Sequence, residues 1–113
     1  MRAEDLLQTH TFWHRDTVDL HLNGELDLAT APLFEQATTA ALNTHPRHLR
    51  LDLTELTFCD QTGLRALHRL ARQAHAAHVT LHLTGTHPRM HRTLTQQHTP
   101  HPRTPPTQHF YRG

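Results

Sequence analysis

The sequence predicts an α/β fold of the α+β type: a small mixed sheet of four to five strands with helices packed mainly on one face. Three observations carry that expectation. Residues 17–22, 48–53 and 79–83 each alternate apolar and polar side chains with period two, the pattern of a half-buried strand. Between these segments lie two stretches whose apolar residues recur at helical spacing. The length, 113 residues, suffices for one modest core and not for two. Strands alternating with helices require parallel crossovers, and the polar outer side of each strand leaves the helices a single face to cover.

Taken in chain order, a weak strand around Thr11, Phe12, Trp13 and His14 is expected to pair with the Val18 strand through a turn at Arg15 and Asp16. That second strand places Val18, Leu20 and Leu22 on one side. Thr30 is suited to cap a helix over 31–43, with Pro32 tolerated in its first turn and Leu33, Phe34, Ala37, Ala41 and Leu42 as its apolar stripe. Pro46 ends that element, and the strand 48–53 follows with three inward leucines. Asp60 is suited to cap a helix over 62–77 with the stripe Leu64, Leu67, Leu70, Ala71 and Ala74. After the strand 79–83, a weaker helix is expected beyond Pro88, carrying Met90 and Leu94. Residues 99–113 hold four of the seven prolines and almost no apolar periodicity, and read as a disordered tail.

Composition narrows the function classes. No apolar run approaches the roughly 18 to 20 residues of a membrane span, and the N-terminus lacks the continuous apolar segment of a signal peptide. A cytoplasmic, membrane-free protein is therefore expected. All 11 basic residues are Arg, and Lys, Ile and Ser are absent, a pattern that reads as codon bias toward G and C. In consequence Thr alone among the aliphatic hydroxyl residues is available as a phosphate acceptor. The formal charge is +1 with the 14 His neutral; with about a quarter of the imidazoles charged at pH 7 the net charge is roughly +4. Scattered His does not form the clustered Arg or Lys footprint of a nucleic-acid binder.

The segment joining the third strand to the second helix, Leu51 through Leu64, is the most informative. A hydroxyl in the first turn of a helix, as at Thr62, sits where unpaired backbone N–H groups and the positive end of the dipole converge, which favours a phosphate by about 0.3–1 kcal/mol. Gly63 permits another backbone to approach closely. On spacing alone, Asp60 is equally well read as a plain cap, Thr62 as a passive first-turn residue and Gly63 as a packing necessity.

Two motifs at this separation, Asn23-Gly24-Glu25-Leu26-Asp27 with Thr30-Ala31-Pro32, and Leu51-x-Leu53-x-x-Leu56-x-Phe58-Cys59-Asp60-Gln61-Thr62-Gly63-Leu64, resemble a STAS domain of the anti-sigma factor antagonist family. The resemblance covers about residues 9–98 and leaves 99–113 as the tail. It implies a small mixed sheet with helices on one side. It also implies a non-enzymatic switch: the antagonist binds an anti-sigma factor that is also a Ser/Thr kinase, releases the sigma factor, and is switched off by phosphorylation. The acceptor position falls on Thr62, the motif acid on Asp60, the motif glycine on Gly63, and the upstream loop acid on Asp27. Gln61 stands where the family pattern carries Ser. The partner surface so implied comprises Asp27, Asp60, Gln61 and Gly63, to which the Arg65, Arg69 and Arg72 stripe adds a basic flank suited to an acidic partner; such stripes also occur simply as solvated helix faces. The alternative is a constitutive, unphosphorylated interaction subunit of a larger regulatory or transport assembly. A monomer or weak dimer is expected.

Other features point to no further chemistry. His87/His91, His10/His14 and His78/His82 share an i,i+4 spacing, but no Cys or carboxylate completes a ligand set, so neither a metal nor a cofactor is expected. Cys59, the single cysteine, reads as a structural thiol. Phe12 and Trp13 are expected to cover the sheet edge.

Overall fold

The computed structural model describes residues 2–86. The elements run α1 (Ala3–Leu6), β1 (Leu7–His14), β2 (Thr17–Leu26), α2 (Ala31–Leu42), β3 (His48–Cys59), α3 (Gln61–Ala76) and β4 (Thr80–Thr84). The sheet order is β1-β2-β3-β4, with β1 antiparallel to β2 and the other two pairs parallel. This is the mixed four-stranded sheet that the alternating pattern predicts. The expected helix beyond Pro88, the tail 99–113 and the His87/His91 pair lie outside the described residues. Among the described residues, no helix is long and apolar enough to cross a membrane.

Leucine does most of the packing. Val18, Leu20 and Leu22 of β2, Leu49, Leu51 and Leu53 of β3, and Leu81 and Leu83 of β4 all lie inward and buried, each worth about 1.5–3 kcal/mol relative to exposure. Phe34 of α2 and Leu67 and Leu70 of α3 fill the other side of that core. The stripe of α2 turns out slightly rotated from expectation. Ala31 and Thr38 join Phe34 and Ala41 among the buried residues, while Leu33, Ala37 and Leu42 are only half-buried at its margin. Thr38 tolerates burial because its hydroxyl donates to the Glu35 carbonyl.

All three early strands are longer than their alternation suggests, for identifiable reasons. β3 carries two register shifts against β2, between His21 and Asn23 and between Gly24 and Glu25. Each adds a residue on β3, so inward positions go from a spacing of two (Leu49, Leu51, Leu53) to three (Leu56, Cys59), and the strand continues where the pattern seems to stop. β2 likewise runs through the Asn23-Gly24-Glu25-Leu26 motif, pairing with β1 and β3 together. Gly24 has φ +125°, and a Cβ there would lie 2.1 Å from the Leu6 carbonyl oxygen. The glycine thus lets the chain pass tightly from α1 into β1. β1 begins at Leu7 because that one side chain is buried; its remaining inward positions, Thr9, Thr11 and Trp13, give no apolar alternation to read. Phe12 and Trp13 sit on opposite sides of this edge strand, each about half exposed, so they cover the edge only in part.

The outer face of the sheet carries cross-strand polar pairs. Arg50 and Asp19 are register partners, and the guanidinium grips the carboxylate with Nε–Oδ1 2.6 Å and Nη2–Oδ2 3.2 Å. The hydrogen bond from Arg50 holds the Asp19 carboxyl below its ordinary value of 3.8, aided by the Arg50 charge and opposed by partial burial. A carboxyl with a lowered folded-state pKa contributes stability above its unfolded value, and that contribution is lost as the pH falls through the folded one. Arg50→Gln should therefore lower stability by about 0.5–1 kcal/mol at pH 6. Its urea midpoint should converge on wild type as the pH falls below 3.8, which urea titrations across that range will read directly.

Candidate functional site

The candidate site is built where β2 and β3 end and α3 begins. Asp60 leaves β3 in an extended conformation (φ −94°, ψ −171°), and its Oδ1 accepts the Gly63 N–H at 2.9 Å. The expected cap is therefore in place, and α3 starts at Gln61, one residue earlier than its apolar stripe indicates. Thr62 occupies the second helical position. It is half-exposed, and no hydrogen bond among the described residues engages its hydroxyl. Gln61 beside it is exposed.

Gly63 is buried, and the backbone that approaches it belongs to its own chain. A Cβ on Gly63 would lie 2.5 Å from the Leu26 carbonyl oxygen and 2.8 Å from Cys59 Sγ. The same Leu26 carbonyl accepts the Asp60 N–H at 3.2 Å. The first turn of α3 is thus seated on the end of β2, and Asp27 is the next residue along.

Asp27 folds the following loop around its own carboxylate. Oδ1 accepts the N–H groups of Ala29 at 3.0 Å and Thr30 at 3.1 Å, and its carbonyl accepts the Ala31 N–H. Thr30 precedes α2 as expected, but its hydroxyl does not cap that helix. Its backbone is helical (φ −102°, ψ −11°) rather than extended, so the hydroxyl turns back, donating to the Glu25 carbonyl at 2.8 Å and accepting the Asp27 N–H at 2.9 Å. Thr30 is fully buried. The loop 27–30 is consequently rigid on its inner side, and it presents Leu28, 75% exposed, on its outer side.

The basic stripe of α3 divides. Arg65 and Arg72 are exposed, whereas Arg69 reaches across to Glu35 of α2, Nε–Oε2 2.8 Å, and binds the two helices together. The guanidinium of Arg69 is committed within the chain. Phe58, 52% exposed at the end of β3 opposite Glu25, lies at the same end of the sheet as Leu28 and Asp60. Leu28 and Phe58 are the two site features that sequence reasoning missed. For Phe58 a signal existed: the three-residue spacing Leu53, Leu56, Cys59 marks the bulges that turn it to the outer face.

Cys59 is half-buried against the Leu26 and Gly63 joint, and burial, with the Asp60 charge, pushes its thiol up to about 12. The sulfur is a protonated packing atom at neutral pH. Among the described residues, no group of three or more His, Cys, Asp or Glu side chains is placed to hold a metal ion.

Comparison with known proteins gives a consistent picture. The family model described as "Mlab, STAS domain" matches residues 9–98. An anti-sigma factor antagonist from Mycobacterium paratuberculosis has a similar structure at 23% identity and TM-score 0.57, covering 84% of this chain and 99% of that one. The anti-sigma factor antagonist SpoIIAA, in its unphosphorylated form, is similar at 22% identity and TM-score 0.65, covering 79% of this chain and 81% of that one. Mglu is similar at 27% identity and TM-score 0.60 over 66% of this chain, which spans only 18% of the length of Mglu. A search of curated proteins finds no match.

Two outcomes test this geometry. Thr30→Val removes a buried hydroxyl that serves two backbone groups, and should cost about 2–3 kcal/mol by chemical denaturation. Cys59 should react with iodoacetamide at pH 8 at least about a hundred-fold more slowly in the folded chain than in denaturant, since so little thiolate is present.

Proposed function

The chain belongs to the STAS domain family, and from that premise we propose that it is an anti-sigma factor antagonist that binds a Ser/Thr kinase of the anti-sigma class and is released by phosphorylation of Thr62. The observation that carries this reading is the half-exposed Thr62 hydroxyl, engaged by no hydrogen bond among the described residues, in the first turn of a 16-residue helix that is capped by Asp60 and packs on Leu26, the residue before Asp27. The solved antagonists with this fold, one of them known in both unphosphorylated and phosphorylated forms, support it by analogy.

The proposed docking surface joins Gln61, Thr62 and Arg65 of α3 to Asp27 and the exposed apolar side chains of Leu28 and Phe58. Apolar groups supply the driving force for association, and the charged ones select the partner. Asp60 and Gly63 shape the surface from within, through the cap and the close packing on Leu26. Arg69 steadies α3 through Glu35.

Transfer of the γ-phosphoryl group of ATP to Thr62 Oγ1 releases ADP and the hydroxyl proton. The product carries about −1.5 to −2 charge at pH 7. At the helix start that charge is favoured by the dipole, so the fold tolerates it. On the docking surface it stands beside the carboxylates of Asp60 and Asp27, and a partner closing over it must desolvate the phosphate. Binding falls while the domain stays folded.

A second reading, a constitutive interaction subunit of a larger assembly, draws on one observation: exposed Gln61 stands where the family pattern has Ser, which changes the substrate surface a kinase meets. Affinity capture with wild-type, Thr62→Ala and Thr62→Glu baits in the absence of ATP separates the two. The switch reading expects a kinase-fold anti-sigma factor retained by wild type and Thr62→Ala, and reduced at least about tenfold by Thr62→Glu. Equal capture of one partner by all three baits makes the subunit reading the correct one.

A further inference from the structure

The outer face of the sheet is a shallow concavity of about 580 Å³, walled by side chains of β2, β3 and β4 and open to solvent. Within it two imidazoles from adjacent parallel strands converge. His48 Nδ1 and His82 Nε2 are 3.1 Å apart, with ring centroids 5.3 Å apart and planes inclined at 36°. The register explains the meeting: His48 pairs with Thr80 and Arg50 with His82, so the two histidines sit diagonally on the same face of β3 and β4.

From this geometry we propose that His48 and His82 form a two-imidazole chelate for a divalent transition-metal ion of the zinc type, with water completing the coordination. Two metal–nitrogen bonds of about 2.0–2.1 Å place their nitrogens about 2.9 Å apart at a right angle and about 3.4 Å apart at the tetrahedral angle. The observed separation falls between these values. Without metal, one ring donates its N–H to the other. Metal binding requires the donating ring to change tautomer, its proton passing by way of solvent to its other ring nitrogen, so that both lone pairs turn to the ion as neutral imidazoles.

Two further features of the face suit a cation. Asp52, on β3 one same-face position beyond the level of His82, has its carboxyl below the ordinary range. Partial burial, the largest single influence, pushes it up, but the Thr54 hydroxyl and N–H, the His21 charge and Thr84 together outweigh that effect. Its negative charge therefore persists on this face at neutral pH. Arg50, the strongest positive charge nearby, is neutralised by Asp19 at 2.6 Å. The consequence for the fold is specific. β4 is a five-residue edge strand, and an ion held by β3 and β4 together fastens that edge to the sheet.

Zinc titration of the full chain at pH 7.5, followed through the imidazole C–H signals by NMR, tests the proposal. His48→Asn and His82→Asn assign the two signals, and the amide spectrum of each variant checks its fold. The expected result is that His48 and His82 shift together, at lower zinc than exposed histidines such as His10 and His45. Either substitution should then weaken the zinc response of the remaining imidazole at least tenfold. Zinc should also raise the urea midpoint of wild type and not of the variants. If the two signals move only with the exposed histidines, or if His48 responds to zinc equally well in His82→Asn, the pair is a hydrogen bond and no chelate.

Discussion

The Leu26 carbonyl holds the end of this molecule together. It accepts the Asp60 N–H where β3 gives way to α3, and it lies so close to Gly63 that no side chain fits between them. The approach fixes the angle at which α3 leaves the sheet and hence where Leu67 and Leu70 enter the core. It also brings the start of α3 against the residue that opens the next loop. Asp27 then closes that loop on itself through the N–H groups of Ala29 and Thr30, while Thr30 returns a hydroxyl to Glu25 and Asp27. One carbonyl, one glycine and one Asp-Thr pair therefore determine the shape of the candidate surface. Stability and the geometry of the site are inseparable at this joint.

Helices on one side of a sheet leave the other side to be managed without a hydrophobic partner. Here cross-strand pairs do so: Arg50 with Asp19, His21 facing Asp52 at 3.7 Å, His48 with His82, and Phe12 edge-on to His21. Each pair is set by register, and all four lie ahead of the bulges in β3, where the pairing of neighbouring strands is regular. The exposed face is thereby ordered, and its imidazoles are brought within reach of one another. Their proximity is a property of the strands and has no counterpart in their separation along the chain.

That contrast explains what could be read in the sequence. The mixed sheet was legible because Val18, Leu20, Leu22, Leu49, Leu51 and Leu53 alternate cleanly and because each face is either buried or solvated throughout. The cap at Asp60 was legible because capping is local, needing only an acid three residues before a free N–H. The reach of β3 to Cys59 was not, because a bulge resets the alternation on which strand recognition depends. The true work of Thr30 was hidden for a different reason. A hydroxyl before a helix looks the same whether it points forward to cap or backward to bind a loop, and only the backbone angles decide. Histidines sought at helical spacing likewise concealed a pair that meets between strands.

These features bear on how a switch at Thr62 has to work. A phosphate there meets the favourable end of a 16-residue helix whose first turn is held by the Asp60 cap and by the packing of Gly63 on Leu26. Neither contact involves the Thr62 hydroxyl, so adding a phosphate breaks neither. The dipole offsets part of the electrostatic cost within the domain, by about 0.3–1 kcal/mol. In the proposed complex a partner surface would have no such compensation: it would meet the new charge together with that of Asp60, across the exposed apolar side chains of Leu28 and Phe58, from which water would have to leave. On the proposed reading, the same modification would be nearly neutral for folding and strongly unfavourable for association, so that binding would respond without any change of conformation.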